Sequence, residues 1–296
     1  MLEREGSDRD AVLFSAGGQG VWVARAAAEL GAVPALCSFI GGESGELLRG
    51  LLERLPGERC LVPTATASGC YVTDRRSGKL QVLSTTLSDP PSRHELDDLF
   101  SRTCSEAIKC GWLVVTNPFP GDALPLELYR DLVADARANG CRALVDLSTP
   151  RLDRALEAKP DLVKLNDWEL AEFVRGPVSG PALRVAAEGL RDRGAQSVIV
   201  TRGEQPALVL HNEDAWWLRG PRFDRGFREG CGDAMLGAIV ALWSNGASFE
   251  RSLLTGAAAG AANFLRHGIG GASRELIEEL TDRVALTPVE GLTMEE

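Results

Sequence analysis

The residues whose types and spacing best suit chemistry are Gly230-Cys231-Gly232-Asp233, a glycine turn and an acid that precede a run of small apolar residues. A helix that starts there directs several unpaired backbone N–H groups at the turn, which makes a site for an anion. Gly230 and Gly232 carry no Cβ, so a ligand can approach the backbone closely. Asp233 then lies beside the anion, where a carboxylate accepts the proton of an attacking hydroxyl. The motif indicates phosphoryl transfer, although a tight turn whose acid is favoured by the helix dipole has the same pattern.

A second glycine cluster, Gly17-Gly18-Gln19-Gly20, lies near the amino terminus. Its spacing differs from the Gly-x-Gly-x-x-Gly of dinucleotide-binding turns, and the chain contains no Gly-Lys-Ser or Gly-Lys-Thr of a P-loop. On its own the cluster is weak evidence for any function.

The elements that must position these residues alternate between helical and strand patterns, which indicates a largely parallel sheet covered by helices. The periodicity predicts helices over 21–30, 44–55 and 122–139, strands over 33–40, 111–116, 142–147, 161–165 and 197–201, and a hairpin over 207–210 and 215–218. The final third is helical and rich in small residues, above all over 257–263. Such a run suits close packing against a neighbouring helix or against a flat ligand.

One segment, 60–86, has no helical period. Its β-type runs at 69–73 and 80–83 flank a turn at 75–78, so we expect a two-stranded excursion inserted into a single α/β domain that spans 1–296. Such an excursion serves as a lid or an oligomer contact, or is an ordinary surface hairpin.

The composition of the 296 residues is that of a globular α/β protein, with 44% hydrophobic and 25% charged residues. A net charge of -10 argues against nucleic-acid and anionic-membrane partners. The seven cysteines form no Cys-x-x-Cys pair and the three histidines are far apart, which does not favour a zinc site. The amino terminus is charged and no apolar run is long enough to cross a membrane, so we expect a cytoplasmic protein with reduced cysteines.

Four motifs, taken in chain order, resemble the PfkB (ribokinase-like) family of ATP-dependent sugar kinases, nearest its 1-phosphofructokinase and tagatose-6-phosphate kinase branch. Residues 17–25 are similar to the first signature, usually Gly-Gly-Lys-Gly-x-Asn-x-Ala-Arg. Residues 164–169 match Lys-x-Asn-x-x-Glu, residues 201–203 match a Thr-x-Gly strand end, and residues 230–233 match Gly-Ala-Gly-Asp. The resemblance covers nearly the whole chain.

The resemblance implies a ribokinase-like three-layer α/β/α sandwich with a mostly parallel central sheet and a small β lid. It also implies ATP as the phosphate donor, Mg²⁺ as the metal, a small carbohydrate-like substrate, and a homodimer formed through the lid.

The same resemblance implies a role for each matched residue. Asp233 is the catalytic base, and the amides of Gly230, Cys231 and Gly232 stabilise the transferring phosphoryl group. Asn166 and Glu169 hold Mg²⁺ through water. The nucleotide-binding residues are Lys164, Asn166, Glu169, Thr201, Gly203 and Asn263. The substrate-binding residues are Gly17, Gly18, Gln19, Gly20, Trp22 and Arg25.

The chain departs from the family pattern on the acceptor side. Gln19 stands where the signature has lysine, and Trp22 stands where it has asparagine. In the lid, Thr-Ala-Ser-Gly at 66–69 replaces the usual Thr-Arg-x-Asn. Because specificity rests on such polar pairs, these losses predict that a phosphosugar is held poorly.

The family's first strand and its Asn-Pro-x-x-Asp segment have no counterpart, since residues 1–6 align inside the pattern, after that strand. Either the start was placed too late or this element has been lost, and both explanations stay open at this point.

Three hypotheses about function follow. The first is an active ATP-dependent kinase for a carbohydrate-like hydroxyl. The second is a nucleotide-binding protein with lost or altered kinase activity. The third is a kinase whose nucleoside acceptor stacks on Trp22. Against it stands the alternative that this ring is packed under the lid, as lone tryptophans more often are.

Overall fold

The apolar strand segments of the sequence lie side by side in one seven-stranded sheet. The computed structural model describes residues 13–74, 81–86, 89–118, 124–266 and 272–289, and the predicted turn at 75–78 lies outside them. The described strands are β1 (Ala35–Ile40), β2 (Glu58–Pro63), β3 (Cys70–Asp74), β4 (Gln81–Thr86), β5 (Trp112–Thr116), β6 (Arg142–Asp146), β7 (Leu162–Asn166), β8 (Ser197–Arg202), β9 (Gln205–His211), β10 (Asp214–Arg219) and β11 (Ala285–Pro288). The described helices are α1 (Gln19–Glu29), α2 (Gly42–Leu52), α3 (Arg93–Cys110), α4 (Glu127–Ala138), α5 (Arg151–Glu157), α6 (Asp167–Val174), α7 (Pro181–Asp192), α8 (Cys231–Ser244), α9 (Phe249–Phe264) and α10 (Arg274–Thr281).

The main sheet has the order β11-β10-β9-β8-β7-β6-β5, and its β5 to β8 half is parallel. The strands β9, β10 and β11 continue it in antiparallel pairs, so the hairpin predicted over 207–218 is confirmed as β9–β10. Central residues such as Leu144, Val163 and Val198 are fully buried. Near-continuous apolar strands of this kind are typical of a parallel sheet that is covered on both faces.

Helices cover both faces of this sheet, which confirms the predicted three-layer α/β/α architecture. On one face, Val23 of α1 and Leu236 of α8 pack against sheet residues such as Ile199. On the other face, Val133 of α4 and Leu190 of α7 pack, together with α5, against strand residues such as Val145. None of the described helices is long and apolar enough to cross a bilayer.

Two smaller sheets stand apart from the main one. The strands β1 and β2 form a parallel pair, and β3 and β4 form an antiparallel pair with an irregular register between Val72 and Thr73. The β3–β4 pair matches the excursion expected at 69–83. The lid boundary at 60 needs correction, however, because Cys60–Pro63 belong to β2 and pair with β1.

The small residues of α8 and α9 allow three helices to approach closely. Ala258, Ala259 and Ala262 are fully buried in a cluster with residues of α8, so the small-residue run at 257–263 packs mainly against a helix. Gly237 of α8 faces α1, where a Cβ would overlap the Val23 carbonyl oxygen and come within 2.8 Å of the Ala26 Cβ. The α1–α8 contact therefore depends on a glycine at position 237.

We expect Gly237→Ala to destabilise the protein by about 1–3 kcal/mol, because the added methyl group forces α1 and α8 apart. Gly189→Ala in α7 is the matched control, since a Cβ there meets nothing within 4 Å. Removing a mid-helix glycine without a clash is expected to be neutral or to stabilise by about 0.5–1 kcal/mol. Urea unfolding of both variants measures the difference, and equal stabilities would contradict the packing described.

Candidate active site

The carboxyl end of β7 runs directly into α6 through a reciprocal pair of hydrogen bonds. The Asn166 side chain accepts from the Glu169 backbone N–H at 2.9 Å, and the Glu169 carboxylate accepts from the Asn166 N–H at 2.9 Å. This capping box satisfies two of the N–H groups that a helix start leaves unpaired. It also fixes both side chains at the sheet edge where, in open α/β folds, ligands bind. Burial raises the pKa of Glu169.

A buried ion pair lies behind this edge. The Lys164 ammonium on β7 donates to the Asp146 carboxylate at the end of β6, and both side chains are almost completely buried. Burial opposes the charge of Lys164, but the Asp146 and Asp233 carboxylates outweigh it and raise its pKa above the ordinary value. The ammonium therefore stays charged inside the site.

The turn before α8 places the predicted catalytic motif, residues 230–233, next to the Lys164 ammonium group. Gly230 is the N-cap of α8 with φ 75°, a left-handed conformation that glycine adopts without strain. A Cβ on Gly232 would lie 2.7 Å from the Lys164 Nζ atom, so the absence of a side chain lets the ammonium reach the helix start. No side chain of the described residues caps this helix. The Cys231 N–H donates to the Arg228 carbonyl at 3.3 Å, so the N–H groups left for an anion begin at Gly232.

Asp233 lies in the first turn of α8 with only 5% of its surface exposed. Burial raises the pKa of its carboxyl group to about 7, against the charge of Lys164, which lowers it, and with a further increase from Asp146. Among the described residues the Asp233 Oδ1 atom has no hydrogen-bond partner. A carboxylate that is half protonated near neutral pH and has a free oxygen is suited to accept a proton.

Cys231 and Asn263 hold the turn in place. The Asn263 amide on α9 donates to the Glu229 carbonyl at 2.9 Å and contacts the Cys231 sulfur at 3.6 Å. The Cys231 thiol donates to the Phe227 carbonyl, and burial raises the pKa of that thiol to about 11. Cys231 is therefore a neutral thiol, and its expected contribution to the site is its backbone alone.

Thr201 lies next to Asn166 across the β7–β8 pairing, at the same carboxyl edge of the sheet. Its hydroxyl donates to the Leu165 carbonyl at 3.4 Å. Gly203 follows in the turn to β9 with φ 60°. The predicted nucleotide-binding residues thus lie together at one edge of the sheet. They come from the ends of β7 and β8 and, in the case of Asn263, from α9 next to the turn before α8.

On the acceptor side, Gln19 at the start of α1 is already engaged. Its side-chain oxygen accepts from the Asn117 backbone N–H just after β5, at 3.0 Å. The Asn117 side chain in turn accepts from the backbone N–H and the hydroxyl of Ser148, each at 3.0 Å. Gln19 therefore ties the first glycine cluster to the sheet edge, a role that the resemblance did not suggest.

Trp22 lies between the two glycine turns of the chain. A Cβ on Gly230 would lie 3.5 Å from its ring, and one on Gly17 would lie 4.0 Å from it. The indole N–H has no hydrogen-bond partner among the described residues, although it is buried. Arg25, one turn further along α1, lies near Arg266, and burial together with that neighbouring charge lowers the pKa of Arg25.

The side chains at this edge supply only a few of the oxygen ligands that Mg²⁺ needs. Within the described ranges no three His, Cys, Asp or Glu side chains form a cluster that could hold a metal ion. Asn166 and Glu169 offer oxygen atoms, and each has already committed one hydrogen bond to the capping box. Mg²⁺ commonly binds through one or two carboxylates, substrate phosphates and water, and the residues present are compatible with that mode.

Sequence reasoning missed two polar residues of the site, Asp146 and Asn117. Both come at the carboxyl end of a buried apolar strand, as Asn166 does. A polar residue at the carboxyl end of an apolar strand was therefore the sequence signal that could have identified both, because in a parallel sheet all such ends meet at one edge.

Comparison with known proteins identifies the fold and the family of the chain. The model of the pfkB family of carbohydrate kinases matches residues 2–275. The ATP-dependent 6-phosphofructokinase isozyme 2 of Escherichia coli (strain K12) is 31% identical over 265 residues, which cover 87% of this chain and 84% of that protein. The 1-phosphofructokinase of Rhodobacter capsulatus is 30% identical over 241 residues, covering 77% and 72%.

Among solved structures, the phosphofructokinase-2 of Escherichia coli in complex with potassium superposes with a TM-score of 0.83. The sequence identity is 26%, and the match covers 95% of each chain. The resemblance drawn from the four motifs is therefore confirmed over the whole fold. The chain belongs to the pfkB family of carbohydrate kinases.

Proposed function

We propose that this carbohydrate kinase transfers the γ-phosphoryl group of ATP to a hydroxyl of a sugar or sugar phosphate, with Asp233 as the general base and Mg²⁺ as the metal. The observation that carries the proposal is the Asp233 carboxyl group, which is buried at the start of α8 with its pKa raised to about 7. That pKa leaves a large deprotonated fraction at neutral pH and keeps the group basic enough to take a hydroxyl proton.

The transferring phosphoryl group lies, in this proposal, against the start of α8. Gly230 and Gly232 expose the backbone there, and the N–H groups of the first turn donate to the oxygens on which charge develops. Lys164 adds a positive charge directly behind Gly232. The acceptor hydroxyl approaches from the Trp22 side and gives its proton to the free Asp233 oxygen.

The nucleotide occupies the edge formed by β7, β8 and α9, with Lys164, Asn166, Glu169, Thr201, Gly203 and Asn263 as its contacts. Mg²⁺ supplies charge neutralisation for the phosphates when it is bound. The capping box keeps the Asn166 and Glu169 side chains oriented toward that edge before any ligand arrives.

The acceptor side carries no cation at position 19, where the amide of Gln19 is bound to Asn117. Gly17, Gly18, Gly20, Trp22 and Arg25 form the remainder of the proposed acceptor site. The first glycine cluster lies against the lid, since a Cβ on Gly17 would lie 3.8 Å from the Tyr71 hydroxyl. In the lid, Val82 and Leu83 of β4 are more than half exposed, which supports a homodimer formed through this sheet.

Trp22 favours a second candidate, a kinase for a nucleoside-like acceptor. Its ring is flat, adjoins Gly230, and has an indole N–H without a partner among the described residues. An aromatic face of this kind stacks on a planar base, whereas the N–H donates equally well to a sugar hydroxyl.

We expect Asp233→Asn to lower kcat by about 10²–10⁴-fold, because the asparagine cannot accept the hydroxyl proton. ATP affinity by calorimetry is expected to stay close to that of the wild type. In the wild type, kcat/KM should fall as the pH drops through about 7, where Asp233 becomes protonated. Asp192→Asn at the exposed end of α7 is the control.

Stability gives an independent check on the same variant. The raised pKa means that the folded protein holds the Asp233 proton more tightly than the unfolded chain, where 3.8 is ordinary. The stability contributed by this group therefore declines as the pH rises from about 4 to about 7, and Asp233→Asn should melt above the wild type at pH 8.

Unchanged turnover in the Asp233→Asn variant would overturn the assignment of Asp233 as the base. ATP binding by the wild type without transfer to any acceptor would support the inactive alternative.

Gly232→Ala is expected to push the Lys164 ammonium away from the start of α8, since the new Cβ would lie 2.7 Å from it. Because the charge of Lys164 lowers the pKa of Asp233, its displacement should move the acidic limb of the pH–rate profile to higher pH and lower kcat. Gly189→Ala is the control for a helical glycine with open space around it. A pH profile identical to that of the wild type would contradict the arrangement.

The acceptor class is tested by following ADP release with a panel of sugars, sugar phosphates and nucleosides. If the Trp22 N–H donates to a sugar, Trp22→Phe should raise KM by about tenfold, the cost of one hydrogen bond. If the ring stacks on a nucleoside, Trp22→Phe should be tolerated and Trp22→Leu should not. If both variants have the same kcat and KM as the wild type with every acceptor, Trp22 does not contact the acceptor.

A further inference from the structure

Two free thiols face each other across the β1–β2 pair. Cys37 of β1 and Cys60 of β2 are partners in the parallel register, and neither belongs to a disulfide. Neighbouring strands lie ~4.8 Å apart, and a disulfide joins Cα atoms that are about 4.4–6.8 Å apart. The backbone spacing of these two residues is therefore suited to a disulfide between them.

Both cysteine side chains lie on the same face of this small sheet. Leu36 and Leu61, their neighbours along the two strands, pack in the cluster that includes Leu52 of α2. Because successive side chains of a strand alternate between its faces, Cys37 and Cys60 lie on the opposite face, where α3 packs against both strands. Neither sulfur atom has to cross the sheet to reach the other.

The surroundings of Cys37 place the two sulfur atoms close together. Burial raises the pKa of the Cys37 thiol to about 12, and the charge of Cys60 and a hydrogen bond with its side chain add to that increase. A hydrogen bond with Thr103 of α3 opposes the increase. Cys37 is therefore a neutral thiol that adjoins Cys60 before any reaction.

The pair combines access from solvent with a thiol partner. Both of its residues are partly exposed, whereas Cys104 and Cys141 are buried. Cys70 is exposed, but its register partner on β4 is Thr86, which carries no thiol. A reagent in solution can therefore reach the pair, and Cys70 serves as an exposed reference thiol.

We propose that Cys37 and Cys60 form a redox modification site, which closes to an intramolecular disulfide by exchange with a small disulfide such as glutathione disulfide. Because Cys37 is a neutral thiol, the first attack falls to the Cys60 thiolate, which breaks the S–S bond of glutathione disulfide and releases one glutathione thiolate. The Cys37 thiol then loses its proton and attacks the Cys60 sulfur, and the second glutathione leaves as a thiolate. Two electrons pass from the two cysteines to one glutathione disulfide, and the two protons pass to the released glutathione.

The disulfide joins the two strands that hold the base of the lid. The Thr64 N–H, just after β2, donates to the Ile40 carbonyl at 2.8 Å, and the Ser68 N–H donates to the Gly41 carbonyl at 2.7 Å. The segment that leads from β2 to β3 is thus fastened to the end of β1. The proposed modification therefore lies at the base of the lid.

The test incubates the folded protein with reduced and oxidised glutathione, blocks the remaining thiols with N-ethylmaleimide and maps the products by tandem mass spectrometry. We expect a Cys37–Cys60 link, whereas Cys70 carries glutathione alone. The folded protein should form the link at least about tenfold faster than the chain unfolded in urea, because the sheet holds the two thiols at a high effective concentration.

A variant identifies the intermediate. In Cys37→Ser the second step is blocked, so the amount of glutathione bound to Cys60 should rise about tenfold or more above that in the wild type. Cys70→Ser is the matched control and should leave the Cys37–Cys60 link unchanged. Circular dichroism checks that both variants are folded.

Three results would overturn the proposal. The first is that Cys37 and Cys60 stay free while Cys70 is modified. The second is a bond from Cys60 to Cys110 at the end of α3 in place of the bond to Cys37, and the third is a link that forms as fast in urea as in the folded protein. None of these readouts depends on catalytic activity, so the thiol pair and the proposed function fail or succeed separately.

Discussion

The candidate active site is organised around one buried ammonium group and the carboxylates that surround it. Lys164 forms an ion pair with Asp146 and also acts on Asp233 and Glu169. Burial raises the pKa of both Asp233 and Glu169, and the charge of Lys164 opposes that increase. Removing one partner of a buried pair leaves an uncompensated charge, so the turn, the strand ends and the helix start all depend on this pairing.

The parallel half of the sheet explains how residues distant in the sequence reach this ammonium. Asp146, Lys164 and Thr201 come from three adjacent strands, and their carboxyl ends meet at one edge. The helix α8 approaches the same edge because Gly237 lets it pack closely on α1, the helix that carries Trp22. The proposed donor and acceptor sides are therefore brought together by the packing of two helices.

Much of this architecture could be predicted from the sequence, because apolar periodicity marks buried strands and the glycine motifs mark their ends. The helix α3 was not predicted, although Ser92 and Glu95 form a capping box at its start, since no sequence periodicity was assigned there. The pairing of Cys60–Pro63 with β1 could not be predicted either, because strand partners are set by tertiary contacts. Likewise, the Gln19 side chain pairs with a backbone N–H 98 residues away, and Lys164 pairs with a carboxylate 18 residues away.

The capping box at the start of α6 has a consequence for how the site meets a ligand. Glu169 uses one carboxylate oxygen to hold the Asn166 N–H, which leaves the other oxygen in a fixed direction. In the proposed kinase, a side chain that is already immobilised would lose little rotational entropy on ordering water around Mg²⁺. The capping box therefore fixes the orientation of both side chains during folding, before any ligand of the proposed reaction arrives.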